Sequence, residues 1–157
     1  MNSKEAGNIM YYGYYDYSPY DMRQNTRIIS DLEKAINGEY SAIQCYEKLA
    51  QKAKSPEAKK IIQEIRQDEV RHYQLFSKLY YSLTGKNHKP SVTEPCPDQF
   101  REGLVFAFKD EQRTVDFYLT VSDYVHDQGT KELMKRIAQD EQQHAVWFLY
   151  LLTHHVS

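Results

Sequence analysis

The sequence predicts an all-α protein, a four-helix bundle made of two repeated helical hairpins joined by a long crossover. Three observations lead there. Apolar residues recur at alternating steps of three and four through four segments, the spacing that gathers side chains on one helix face. The second half of the chain repeats the first at a constant offset of 72 positions without a gap. Residues 86–98, Lys-Asn-His-Lys-Pro-Ser-Val-Thr-Glu-Pro-Cys-Pro-Asp, hold three prolines and no period, as a connecting strap should.

Residues 1–25 stand apart. Tyr11, Tyr12, Tyr14, Tyr15, Tyr17 and Tyr20 crowd there with Gly13, Ser18 and Pro19, which reads as a tyrosine-rich N-terminal arm, either mobile or adhesive, ahead of a bundle domain over 26–157. The first helix runs from Thr26 to Ala53 with Leu32, Ile36, Glu39, Ile43, Tyr46 and Ala50 on its inner face. Ser55-Pro56-Glu57 opens the second: a capping hydroxyl, a proline at the first position and an acid in the first turn. Its inner stripe is Ile62, Ile65, Glu69, His72, Phe76 and Leu79, and Gly85 is its stop. After the strap the third helix carries Leu104, Phe108, Glu111, Val115, Tyr118, Ser122 and Val125. His126-Asp127-Gln128-Gly129 breaks the pattern before a fourth helix with Leu133 or Met134, Ile137, Glu141, His144 and Phe148.

Composition excludes several classes. At 157 residues and 41% hydrophobic, one compact domain is expected. A net charge of −2, with no basic stripe, argues against nucleic acid as partner. A mean hydropathy of −0.76 and the lack of any apolar run near 18 residues argue against a membrane span, and no secretory signal is visible. Cys45 and Cys96 form no C-x-x-C pair, so neither a thiolate knuckle nor a disulfide is expected, and a reducing cytoplasm fits.

The chemistry lies in the repeat. Asp68-Glu69-x-x-His72 and Asp140-Glu141-x-x-His144 spell D-E-x-x-H twice, each with a glutamate, Glu39 or Glu111, 30 positions before its own. A single E-x-x-H is ordinarily a solvated charged pair; here every glutamate falls on the apolar stripe. Each hairpin brings its two glutamates level, and a strap running the length of the bundle lets the second hairpin pack inverted, so that all four meet at mid-height. The i, i+3 step puts each glutamate and its histidine on one helix face. Four buried carboxylates are tolerable only if neutralised. Two divalent cations with oxygen ligands and one imidazole each do so, and iron, or manganese in its place, suits that donor set better than structural zinc. Asp68 and Asp140 are expected to orient the histidines, within their own helix or across to the partner helix. Tyr46 and Tyr118 are expected in the core with hydrogen-bonded hydroxyls, the alternative being contact with the ligands or an electron path.

The remaining polar residues have plainer readings. His88 and His126 are expected in solvent, His154 and His155 on a frayed end, and Glu33, Glu47 and Glu102 on solvated faces. Cys45 reads as a packed thiol and Trp147 as packing.

Glu39-x6-Tyr46 followed by Asp68-Glu69-x-x-His72, then Glu111-x6-Tyr118 followed by Asp140-Glu141-x-x-His144, resembles the rubrerythrin and ferritin-like di-iron carboxylate proteins across residues 26–152. The resemblance implies a ferritin-like bundle with two iron ions per chain cycling between ferrous and ferric states with hydrogen peroxide or dioxygen. Glu69 and Glu141 would bridge, Glu39 and Glu111 would be terminal ligands, and His72 and His144 would complete the set, all six being the catalytic residues. This sequence departs from the family in lacking the rubredoxin-like paired C-x-x-C module, so its electron donor is unidentified. Thr114 also stands where an extra glutamate often follows the third-helix ligand, and the chain ends soon after Leu152, which favours a homodimer over a cage. The function expected is an oxidoreductase, a peroxidase or ferroxidase. The alternatives are a di-iron hydroxylase of an organic substrate and a metal-stabilised assembly protein using the tyrosine-rich arm.

Overall fold

The computed structural model describes residues 19–155 and contains four helices among them: α1 (Pro19–Lys52), α2 (Pro56–Thr84), α3 (Phe100–Tyr124) and α4 (Gln128–His154). The helix α1 starts at Pro19, seven residues before the start expected at Thr26. Proline suits a first helical turn, where its missing N–H costs nothing, and Met22, Arg23 and Gln24 are good helix formers; the tyrosine cluster had masked both signals. The arm reading for residues 1–18 lies outside the described residues.

The caps explain where the hairpins turn. Ser55 is extended and accepts the Ala58 N–H, Pro56 is the first helical residue, and Gly85 ends α2 in the left-handed conformation at φ 68°, where a side chain would be strained. The break expected over 126–129 is shorter. Asp127 caps α4 and its carboxylate accepts from the Thr130 N–H at 2.7 Å and the Thr130 hydroxyl at 2.8 Å, so Gln128 and Gly129 are helical. The 72-residue offset maps Ser55 onto Asp127, so the repeat itself held this signal.

Cross-helix contacts fix the topology. Along α1 and α3, Tyr46 meets Glu111, Glu39 meets Tyr118, and Asp31 meets Tyr124. One number rises as the other falls, so the two helices are antiparallel. Along α2 and α4, Asp68 meets His144 and His72 meets Asp140, again antiparallel. Exchanging the repeats turns Tyr46–Glu111 into Tyr118–Glu39 and Asp68–His144 into Asp140–His72, which is the signature of a twofold axis through mid-bundle. The aromatic pairs obey it too, with Phe76 on Tyr118 at 5.0 Å and Phe148 on Tyr46 at 4.9 Å.

The strap makes the inversion. Asn37 Oδ1 accepts from the Ser91 N–H and faces His88 Nε2, both at 3.0 Å; Ser41 Oγ accepts the Thr93 N–H at 3.0 Å; the Lys52 ammonium donates to the Asp98 carbonyl. The strap therefore runs up α1 one turn at a time and delivers α3 beside the far end of α1. Gly103 lets α3 come close there, since a Cβ would push the Leu49 side chain aside.

Cys45 and Cys96 are disulfide-bonded with Cα atoms 5.1 Å apart, which corrects the expectation of unpaired thiols. The pairing depends on the path of the strap, which residue spacing does not reveal. With it goes the argument for a reducing cytoplasm. Among the described residues no helix is long and apolar enough to cross a membrane.

Candidate metal centre

All six sequence-predicted side chains meet at mid-height between two apolar layers. One layer holds Leu32, Ile36, Phe76 and Ile137; its twin holds Leu104, Phe148, Ile65 and Ile62. Glu39, Glu69, His72, Glu111, Glu141 and His144 are each at most 3% exposed. The stripe expected for each helix places them: Leu32, Ile36 and Tyr46 are buried with Glu39, and Leu104 and Tyr118 with Glu111. Phe108, Val115 and Leu79, expected inward, are only half-buried.

Two ligand groups result. Glu39, Glu69, His72 and Glu141 offer donor atoms all within 4.8 Å of one another, and so do Glu69, Glu111, Glu141 and His144. Glu69 and Glu141 belong to both. The twofold axis therefore passes between a shared pair of carboxylates, with one glutamate and one histidine to each side, and the imidazole rings lie 6.0 Å apart.

The donor atoms fit metal better than hydrogen bonding. Glu69 Oε1 lies 2.9 Å from His144 Nδ1, and Glu141 Oε1 lies 3.0 Å from His72 Nδ1. Yet Glu69 Oε1, Glu141 Oε1 and His144 Nδ1 are fully buried without a properly aligned hydrogen bond. The donor atoms of each group converge on a common point. Buried polar atoms are rarely left unsatisfied in a native core, and a cation at each point would satisfy them.

The surrounding groups hold the donors still. His72 Nε2 faces Asp140 at 3.4 Å and His144 Nε2 faces Asp68 at 3.1 Å, so each aspartate serves the histidine of the partner helix. That leaves Nδ1 of both rings turned to the carboxylates. Arg71 pairs with Asp68, and Arg136 with Asp140 at 3.2 Å, carrying each relay to the surface. Tyr46 donates to Glu111 Oε1 and Tyr118 to Glu39 Oε1, both from fully buried rings. These tyrosines thus combine core packing with direct contact to candidate ligands.

Several plainer expectations change. His88 is half-buried against Tyr80, at 5.6 Å between rings, beside Asn37. Glu33 accepts the Tyr80 hydroxyl at 2.8 Å. His155 approaches Glu57 at 3.2 Å and His154 stacks on Tyr150 at 4.5 Å, so this end is tied down rather than frayed. Trp147 is 40% exposed and lines a small cleft with Asp68, Asp140 and His144 instead of packing inside. Glu47, Glu102 and His126 are exposed as expected, Glu47 pairing with Arg66 at 3.0 Å.

A cavity of about 210 Å³ opens between α1 and α3 onto the cluster. Ala35, Gly38, Ala42, Thr114 and Phe117 form its walls, and Glu39, Glu69, Glu111 and Glu141 reach its floor. Spacing could not reveal it; the small residues on α1 that make room were the available signal.

A rubrerythrin family model matches residues 31–100, which span most of the first hairpin and the strap. The chain is 55% identical over 143 residues to the uncharacterized protein YhjR of Bacillus subtilis (strain 168), covering 91% of this chain and 98% of that one. It shares its fold with ferritin-like, diiron-carboxylate proteins from Bacillus anthracis str. Ames at TM-score 0.70 and 23% identity, over 82% of this chain and 97% of that one. Residues 31–100 are thus similar to the rubrerythrin family, and the whole bundle has the ferritin-like fold. A hypothetical protein from Pyrococcus furiosus has the same fold, with TM-score 0.72 and 24% identity over 80% of this chain and 88% of that one. The second hairpin of this rubrerythrin-like chain lies outside the matched residues, yet reproduces every candidate ligand at the 72-residue offset.

The electrostatics of this rubrerythrin-like cluster follow from burial. Burial, then the Glu141 and Glu69 carboxylates, pushes Glu39 and Glu111 well above the usual carboxylate range. For Glu69 and Glu141 burial also opposes ionisation. The neighbouring His144 and His72 imidazoles at Glu69, and Glu111, His144 and His72 at Glu141, outweigh it and hold both below that range. Burial likewise opposes charge on the imidazoles, but the Glu141 and Glu69 oxygens raise His72 to about 11 and His144 to about 9. These directions favour protons on Glu39, Glu111, His72 and His144, which together would make the cluster neutral. Two divalent ions carry the same charge as those four protons.

Proposed function

We infer that this chain is a di-iron oxidoreductase, a rubrerythrin-like peroxidase or ferroxidase that reduces hydrogen peroxide or dioxygen. The observation that carries the reading is the pair of buried ligand groups sharing Glu69 and Glu141. One ion would be held by Glu39, Glu69, His72 and Glu141, and the other by Glu69, Glu111, Glu141 and His144. Iron bound there supplies one electron per ion and a Lewis acid for the oxidant's oxygens.

The protein's share is positioning and proton handling. Asp140 and Asp68 fix the Nε2–H tautomer of His72 and His144, so that Nδ1 is free to bind metal. The Tyr46 and Tyr118 hydroxyls anchor the terminal carboxylates and hold protons at Glu111 Oε1 and Glu39 Oε1, next to the reacting space. The cavity between α1 and α3 admits a small oxidant from one side, while the apolar layers exclude water from the others. Its modest volume favours peroxide or dioxygen over a bulky organic substrate.

Mixing anaerobic Fe(II)-loaded protein with peroxide, and separately with dioxygen, tests the reading. A ferric absorbance rising with at least one oxidant, and absent in Glu69→Ala plus Glu141→Ala, is expected. Loaded iron inert to both oxidants would overturn it.

A further inference from the structure

The chain has only two cysteines, and the fold brings both to the metal helix. Cys45 precedes Tyr46, whose hydroxyl bonds Glu111, and lies six positions, roughly 9 Å along the axis, from Glu39. Cys45 is 3% exposed, while Cys96 is half-buried in the strap. The two line an open surface cleft with Ser41, Lys48, Glu94 and Asp98. A thiol from solution can therefore reach the bond from outside, and the neighbour of Cys45 on α1, Tyr46, touches the cluster.

Resting the strap on α1 does not need this bond. Asn37, Ser41 and Lys52 already hold it at three heights. A reduced pair is also accommodated: the Cys45 carbonyl lies 3.7 Å from Cys96 Sγ, placed to accept its S–H. Lys48, one turn beyond Cys45, brings positive charge to the cleft. Of the acids in the cleft, Glu94 is engaged by Arg113 at 3.3 Å.

We propose that Cys45 and Cys96 are the electron-donating pair for the carboxylate–histidine cluster, working as a dithiol that closes to the disulfide and is reopened by an external thiol. The stoichiometry balances. Two thiols give up two electrons and two protons to form one S–S bond, and one hydrogen peroxide takes them to become two waters. A low-molecular-weight or protein dithiol then reduces the bond by thiol–disulfide exchange, its own sulfurs leaving as a disulfide. The proposal rests on the oxidoreductase reading above and supplies the reductant for which the chain has no separate C-x-x-C module.

The test uses the full chain, reduced with dithiothreitol, desalted and loaded with Fe(II) under anaerobic conditions. One equivalent of hydrogen peroxide is added, ferric absorbance is followed, and remaining thiols are alkylated and counted by mass. The expected result is a ferric signal that forms and decays as both thiols per chain are lost. In Cys45→Ser plus Cys96→Ser the signal forms and persists, with iron loading checking the fold. In Glu69→Ala plus Glu141→Ala the thiols survive. Thiols that stay alkylatable after the ferric signal has formed in the unmodified chain overturn the proposal and leave the oxidoreductase reading standing. Equal thiol loss in the Glu69, Glu141 variant also overturns it, since peroxide would then attack the sulfurs directly. No ferric signal at all sinks both.

Discussion

The two hairpins are near copies where they face inward and strangers where they face outward. Inward, Leu32, Ala35, Glu39 and Tyr46 become Leu104, Ala107, Glu111 and Tyr118, and Ile65, Glu69, His72 and Phe76 become Ile137, Glu141, His144 and Phe148. Outward, the α1 residues that carry the strap, Asn37, Ser41 and Cys45, become Lys109, Arg113 and Phe117. The twofold cluster constrains the first set twice over, because each ligand is braced by the other copy. The strap makes its backbone hydrogen bonds with α1 and meets α3 through the exposed Glu94–Arg113 pair, so the second set has no twin to match.

The largest effects should respect the symmetry of the shared carboxylates. Glu69→Ala or Glu141→Ala each remove a donor from both groups, so either alone is expected to drop iron loading far below the about two ions per chain expected for the unmodified protein. Glu39→Ala or Glu111→Ala remove a donor from one group only and should leave roughly one tightly held ion. Elemental analysis after anaerobic loading and desalting decides this. Equal, small losses in all four variants would break the twofold description.

Next come the paired aromatics. Phe76→Ala and Phe148→Ala are fully buried truncations under Tyr118 and Tyr46. Each is expected to cost about 3–5 kcal/mol in denaturant unfolding, and by the same amount within error. Asp68→Asn and Asp140→Asn should each weaken metal binding by about 10–100-fold while leaving the fold intact, since each loosens one histidine across the interface. A large effect in only one member of either pair would show that the halves are not equivalent.

Protonation sharpens the comparison. His72 and His144 occupy twin positions but are raised to about 11 and about 9. A group raised on folding stabilises the fold fully below its ordinary value and loses that contribution as pH climbs through the folded value. Metal-free protein should therefore lose thermal stability as pH rises above the ordinary imidazole value of 6.5, the His144 contribution being gone by about 9 and that of His72 by about 11. Metal competes with these protons, so its affinity should rise with pH over the same range. Melting curves with and without Fe(II) check both signs. The smallest effect lies on the outer faces: Asn37→Ala gives up two contacts to the strap and should cost about 1 kcal/mol, while its twin Lys109→Ala should stay within roughly 0.5 kcal/mol of zero.

The same inner and outer division decides what the sequence could reveal. Glu39, Glu69, His72, Glu111, Glu141 and His144 were legible because burial and repetition imposed one spacing twice, and the inverted packing followed from keeping all four glutamates level. Which histidine each aspartate serves was not legible, since i+4 and cross-helix partners are equally reachable from residue spacing. The Cys45–Cys96 bond was hidden for a different reason. It depends on the strap climbing α1 in step with Asn37 and Ser41, a path set by hydrogen bonds that have no periodic trace. Asp127 as a cap was legible through its match to Ser55, but its Gln-Gly sequel looks like a breaker to local propensity.

The central claim is that a twofold cluster exchanges four protons for two ions. Anaerobic Fe(II) titration in weak buffer near neutral pH, following bound metal and released acid together, tests it most directly. The account predicts saturation at about two ions with up to about four protons released per chain. Saturation at one ion, or binding that persists unchanged in Glu69→Ala plus Glu141→Ala, would contradict it.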